Sequence, residues 1–390
     1  MSKVVFCSCI PLSETILKLF PLDFLAARGI PVEYWDLSAP FGYALAGKEI
    51  ARPFVRRFAD WGALKAALLA PEAAETFLVT DIPFEPRFFR LYRLFGRTRA
   101  KLGAVISGVL PLPEESGLRR LRRGARYLLE PQKISHILLK RAQIALKRLG
   151  GVRGFDVVFA AGDAAREEAG RARVVPINHW DYDSWLETRA SDARLVDGRY
   201  AVYLDQFAAG HPDFKFVGIK TLIDPVRYHA LLNAFFYRLE KEHGLTVVVA
   251  AHPKSDYPVN PFGGRRILRA STRPLVRHCE FALATHSTAL GYAVLDRKPL
   301  IFFTTDDIAA RYRSLRLDEF PAHFARVLGR HCVALDRVSR DDLRVDPVNE
   351  TLYDGYKYRY LVSRETEGRL SGEAVAEFFS RELAAPGRRA

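Results

Sequence analysis

The stretch beginning at Thr246, TVVVAAHPKSDYPVNPFGGRRILRASTRPLVRHCEFALATHSTALGYAVLDRKPLIFFTT, constrains the fold more than any other. Val247–Ala251 is a β-branched run that stops at His252-Pro253, where proline cannot continue a central strand. Phe281–Ala284 is a second apolar run, ending at Thr285-His286-Ser287-Thr288. A helical pattern over Ala289–Leu295 then leads to a third run, Leu300–Phe303. Buried strands alternating with helices at this spacing predict a parallel sheet with right-handed crossovers. Ligands of such sheets bind beyond the carboxyl ends of the strands, where His252-Pro253 and His286-Ser287-Thr288 sit.

The same alternation runs through the N-terminal half. Val4–Ile10, Val32–Asp36, Thr76–Thr80, Ala104–Ser107, Asp156–Ala160 and Arg173–Ile177 read as strands. A polar seam at 185–200 separates this half from a second unit that starts at the strand Ala201–Leu204 and contains the helix Tyr228–His243. Val333–Leu335 reads as its last strand. The expected division is 1–190, 191–350 and a helical tail 351–390 that crosses back. Two Rossmann-like domains facing each other across a cleft are expected, an order of parts that resembles the GT-B arrangement of nucleotide-sugar glycosyltransferases, which implies an acceptor side first and a nucleotide side second.

At 390 residues the chain can bury two full cores. No apolar run approaches the roughly 20 residues that span a bilayer. The N-terminus enters a strand directly, without the regions of a secretory signal. Cys7, Cys9, Cys279 and Cys332 have no metal-binding or CxxC spacing, so structural thiols in the cytoplasm are expected. The net charge of +14 is concentrated in the window 87–148, which holds sixteen Lys/Arg against three Asp/Glu. Two readings of this window stay open: a solvated helix face, or an amphipathic helix on the anionic inner face of the cytoplasmic membrane, each basic residue contributing about 1 kcal/mol. It lacks aromatic platforms or a reader motif, so nucleic acid is not an expected partner.

Imidazole and ammonium at a strand end, as in His252-Pro253-Lys254, suit a phosphate. The hydroxyls of Ser287 and Thr288, next to His286, either cap the following helix or add to an anion site. A second polar cluster holds His179, Asp181 and Asp183, with Asp163 after the strand Asp156–Ala160. Two readings of this cluster stay open, acids and aromatic rings that suit a sugar acceptor or hydrogen bonding between the domains near the hinge, and Asp163 is an alternative catalytic carboxylate. No DxD dyad is evident, although Asp306-Asp307 and Asp181-Tyr182-Asp183 come near one.

The pair AAHPKSDY and ATHSTALGYAVLDRKPLIFF resembles the HP and Ser/Thr motifs of bacterial transferases that use CMP-activated acidic sugars, the sialyltransferases and Kdo transferases of capsule and lipopolysaccharide assembly. YAVYLDQFAAGHPDF occupies the place of their acidic motif; the resemblance covers about 155–310. It implies donor binding by His252, Pro253, Lys254, His286, Ser287 and Thr288, and catalysis by Asp205 with His252. Many sialyltransferases carry two acids and a glycine where this chain has Leu204-Asp205-Gln206-Phe207, which favours Kdo over sialic acid. The implied reaction needs no metal or cofactor, takes a CMP-sugar donor and a glycan or lipid-linked saccharide acceptor, and has His179, Asp181 and Asp183 on the acceptor. The rival expectations are a UDP-N-acetylglucosamine 2-epimerase-like enzyme and a non-catalytic scaffold of polysaccharide assembly.

Overall fold

The computed structural model describes residues 1–42, 49–113, 152–191, 193–211, 222–312 and 317–384. The chain divides into two compact units: residues 1–109, 114–180 and 362–390, and residues 110–113 and 181–361. Among the described residues every paired strand is parallel to its neighbours.

The first unit has seven strands: β1 (Lys3–Ser8), β2 (Val32–Asp36), β3 (Val55–Arg57), β4 (Thr76–Thr80), β5 (Lys101–Ile106), β6 (Val157–Ala161) and β7 (Arg173–Ile177), in the order β3-β2-β1-β4-β5-β6-β7. Successive residues of a strand face opposite sides. Accordingly Val4 and Phe6 pack into one apolar layer, and Val5 and Cys7 into the other. Pro176 lies on β7, an edge strand, where a missing N–H costs no ladder bond.

The helix Ser371–Ala384 completes the first layer. Phe378 and Phe379 meet Phe77 at 5.7 and 5.3 Å between ring centroids and Phe159 at 5.4 and 5.6 Å, and Phe379 lies 6.1 Å from Phe6. Glu382 ties the helix to the sheet through Lys101 at 2.7 Å and Arg173 at 3.3 Å. Upstream, Ser363 Oγ bonds the carbonyls of Ala160 and Ile177, clamping β6 to β7. Asn178 is held by three tail residues: Ser371 accepts its N–H, the Arg369 carbonyl its side-chain amide, and Thr366 donates to its oxygen.

The second unit has six strands: β8 (Tyr200–Leu204), β9 (Thr246–Ala250), β10 (Ile267–Leu268), β11 (Ala282–Ala284), β12 (Leu300–Thr304) and β13 (Cys332–Ala334), in the order β10-β9-β8-β11-β12-β13. Continuous apolar strands such as VVVA and LIFF are what a sheet covered on both faces requires. One face packs on the helix Pro225–His243 through Leu232, Phe235, Phe236 and Leu239. That helix is delimited at both ends by its sequence. Asp224 Oδ1 accepts the N–H of Val226 at 2.9 Å, Pro225 fills the first helical position, and Gly244 closes the C-terminus at φ 59°.

All four cysteines are free, as the spacing predicts. Burial pushes the Cys7, Cys279 and Cys332 thiols up to about 12. No helix among the described residues is long and apolar enough to cross a membrane. Most of the basic window, from residue 114 onward, lies outside the described residues.

Candidate functional site

In the second unit the chain runs from β8 to β9 and β10 on one side, and from β11 to β12 and β13 on the other. The order therefore reverses between β8 and β11, and the carboxyl ends at that reversal are where an open parallel sheet takes ligands. Asp205 follows β8, His252-Pro253-Lys254 follow β9, and Thr285-His286-Ser287-Thr288 follow β11. Seven residues nominated from the sequence thus share one sheet edge.

Asp205 is buried, and its carboxylate is fully engaged. Oδ1 accepts the N–H of Phe207 at 2.8 Å, a turn that holds Phe207 at φ 50°. Oδ2 accepts the backbone N–H of His252 at 3.2 Å and the hydroxyl of Tyr257 at 2.9 Å. Burial raises the Tyr257 phenol, and the Asp205 charge adds to this, so Tyr257 remains a donor. Both oxygens of the carboxylate expected at the reacting centre thus accept hydrogen bonds, one from its own turn and two from the His252 loop.

The loop itself is tightly turned. The His252 carbonyl accepts the N–H and Oγ of Ser255 at 2.9 and 2.8 Å, and Arg269 donates to the Ser255 carbonyl at 2.7 Å. His252 Nδ1 accepts the N–H of Lys254 at 3.2 Å, which leaves the ring proton on Nε2. Pro253 and Lys254 are exposed. The His211 ring stands 4.8 Å from that of His252. His286 is brought down to about 4 by burial, with the His211 charge as a second cause, so it is neutral at physiological pH. Its Nδ1 and the Thr285 hydroxyl are shielded from solvent and have no hydrogen-bond partner among the described residues. Ser287 Oγ accepts the N–H of Ala289 at 3.2 Å, a local turn that enters the helix Leu290–Leu295, and Thr288 is exposed.

The remaining nominated residues are elsewhere. Asp163 is exposed in the first turn of the helix Gly162–Glu168, after β6. His179, after β7, is buried against Trp180 at 4.0 Å and lowered to about 4 by burial. Gly108, at φ 77°, makes room for this pair: a Cβ there would lie 3.1 Å from the Trp180 ring. Asp181 and Asp183 ride on the helix Trp180–Thr188, in the second unit. Asp181 is buried and hydrogen-bonds Tyr292, and Asp183 is half-buried. Asp306 is paired with Arg337 through both oxygens at 2.8 Å. Among the described residues no group of three or more His, Cys, Asp or Glu could hold a metal ion.

Two all-parallel α/β units of seven and six strands define the GT-B fold. Solved structures bear this out: the wall teichoic acid polymerase TagF is similar over 98% of this chain and 89% of its own, at 11% identity and a TM-score of 0.51. The glycotransferase of kitacinnamycin is similar over 97% of this chain and 98% of its own, at 12% identity and a TM-score of 0.50. At these identities the likeness is one of fold. No family model and no curated protein matches the sequence.

Tyr257 and His211 complete the neighbourhood of His252 and were not nominated from the sequence. Tyr257 lies 52 residues from Asp205, and only the pairing of β8 with β9 brings them together.

Proposed function

We propose that the chain is a glycosyltransferase moving an acidic sugar, Kdo in preference to sialic acid, from a CMP-activated donor onto a lipopolysaccharide or capsule precursor. The observation that carries this reading is the convergence of His252 and His286-Ser287-Thr288 at the reversal point of the second sheet of a GT-B fold. In the reaction, the bond between the anomeric carbon and the phosphate oxygen of CMP breaks, and a bond to an acceptor hydroxyl oxygen forms as the proton of that hydroxyl passes to the Asp205 carboxylate acting as general base. His252 Nε2–H donates to the departing phosphate, while Lys254, Ser287 and Thr288 contact its other oxygens. Preorganised donors of this kind are worth on the order of 3 kcal/mol each. Asp205 keeps the role of catalytic carboxylate and also fixes the loop that presents the His252 imidazole. His179, Asp181 and Asp183 remain assigned to the acceptor and Asp163 to a reserve carboxylate. The basic window is assigned to an anionic membrane surface at the cytoplasmic face.

Thermal-shift measurements against CMP, UDP, GDP and ADP test the reading. CMP at a hundredfold excess over its dissociation constant stabilises the protein by about 2.7 kcal/mol. A melting temperature raised by UDP and not by CMP would overturn the donor assignment in favour of an epimerase-like nucleotide site. No shift with any nucleotide would leave a scaffold.

A further inference from the structure

The first sheet has a reversal point of its own. β1 leads to β2 and β3 on one side, and β4 leads to β5, β6 and β7 on the other. The residues emerging there are Ser8, which ends β1, and Asp81, which follows β4. Ser8 Oγ donates to Asp81 Oδ2 at 3.1 Å. Oδ1 of the same carboxylate is shielded and has no hydrogen-bond partner among the described residues, although the residue as a whole is only partly buried.

The groups around it are protonated or already committed. Cys7 and Cys9 of β1 and its loop, Tyr34 of β2 and Tyr92 of the helix Phe89–Phe95 are all held in their neutral forms by burial. Tyr34 donates to the Ile10 carbonyl, Tyr92 to the Ile82 carbonyl at 2.7 Å, and Thr80 Oγ1 to the Cys7 carbonyl at 3.1 Å. Asp36 and Arg87 act with Asp81 on Cys9; Arg57 stands 4.0 Å from Asp36, and Arg87 pairs with Glu85 at 2.8 Å. Burial alone raises Asp81 to about 6, which leaves it a carboxylate at neutral pH. A shielded carboxylate oxygen without a donor suits a neutral hydroxyl donor and disfavours a phosphate.

We propose that Ser8 and Asp81 form a binding subsite for a neutral, hydroxyl-rich ligand, a saccharide whose hydroxyl donates to Asp81 Oδ1. Taking that saccharide to be the glycan acceptor rests on the proposed function; the subsite itself does not.

Saturation-transfer NMR on the full chain, with methyl α-glucoside, methyl β-galactoside and inorganic phosphate as probes, tests the assignment. A glycoside signal is expected at neutral pH, declining in the wild type as the pH falls through about 6. Asp81→Asn should lower glycoside affinity roughly tenfold or more, the scale of one hydrogen bond to a charged group, and remove that pH dependence. Ser8→Ala, the milder variant, should weaken the signal and serves if Asp81→Asn fails to fold. In both variants the stabilisation by CMP should persist. Equal glycoside binding by Asp81→Asn and wild type, no glycoside binding to the wild type, or preferential binding of phosphate would each overturn the subsite. Nucleotide binding without glycosides removes the subsite alone, whereas glycosides without nucleotides leave it standing and remove the glycosyltransferase reading.

Discussion

The hydroxyl of Tyr257 donates to the carboxylate of Asp205 at 2.9 Å, across 52 residues of sequence. The same oxygen receives the N–H of His252, so a tyrosine on the loop after β9 and an acid after β8 jointly set where the imidazole points. Tyr257→Phe leaves the fold intact and removes one of the two donors, costing about 1–3 kcal/mol because the surviving acceptor is charged and buried. Asp205→Asn replaces an oxygen pair that accepts three bonds with a group that must donate with half its valence. Both variants should bind CMP more weakly, Asp205→Asn the more so. Unchanged CMP affinity in Asp205→Asn, measured by calorimetry, would show that the carboxylate does not set the His252 loop.

Acid stability follows from two buried histidines. His179 and His286 are held near 4, below the ordinary value of about 6.5, so the folded state takes up their protons later than the unfolded one. Stability therefore falls as pH drops from about 6.5 toward 4, by roughly 2 kcal/mol per histidine at pH 5. Urea unfolding of His179→Gln at pH 7 and pH 5 should show a shallower loss than the wild type. An identical slope would mean that His179 is accessible and titrates normally.

Asp81 works in the opposite direction. Its folded value, about 6, lies above the unfolded value, so it contributes stability at low pH that is lost as pH rises through 6. At neutral pH the buried charge costs on the order of 3 kcal/mol, and Asp81→Asn should raise the melting temperature there and not at pH 4. A lower melting temperature at neutral pH would show that the charged carboxylate is not the destabilising group its burial implies.

The C-terminal helix is part of the first core. Phe379→Ala should destabilise the first unit by about 3–5 kcal/mol, the usual cost of emptying a buried aromatic site. Urea unfolding followed by the near-ultraviolet signal measures this. A loss below about 1 kcal/mol would show the helix to be a loosely held appendage.

Most strands were legible from runs of β-branched and aromatic residues, because a strand buried on both faces leaves little room for polar interruption. β3 was not, since Val55-Arg56-Arg57 lies at a sheet edge with both arginines exposed. The strand expected over Val4–Ile10 stops at Ser8, whose hydroxyl turns toward Asp81. His252 and His286 were legible because each closes an apolar run, and a polar residue at that point has few structural alternatives. Asp81 closes one too, in LVTDIP, but its meaning depends on β4 lying beside β1, and strand order leaves no mark in a single sequence. Asp205 was legible as a position and its hydrogen-bond partners were not, because they arrive from a different strand.

The helix carrying Phe378 and Phe379 also sets a timetable. A chain leaving the ribosome delivers the second unit's strands without interruption, from Tyr200 to Ala334, and that unit can close while synthesis continues. The first unit, although begun earlier, must wait with Phe6, Phe77 and Phe159 uncovered until the helix Ser371–Ala384 emerges. A product terminated before Ser371 therefore carries an open aromatic face that chaperones and proteases can recognise.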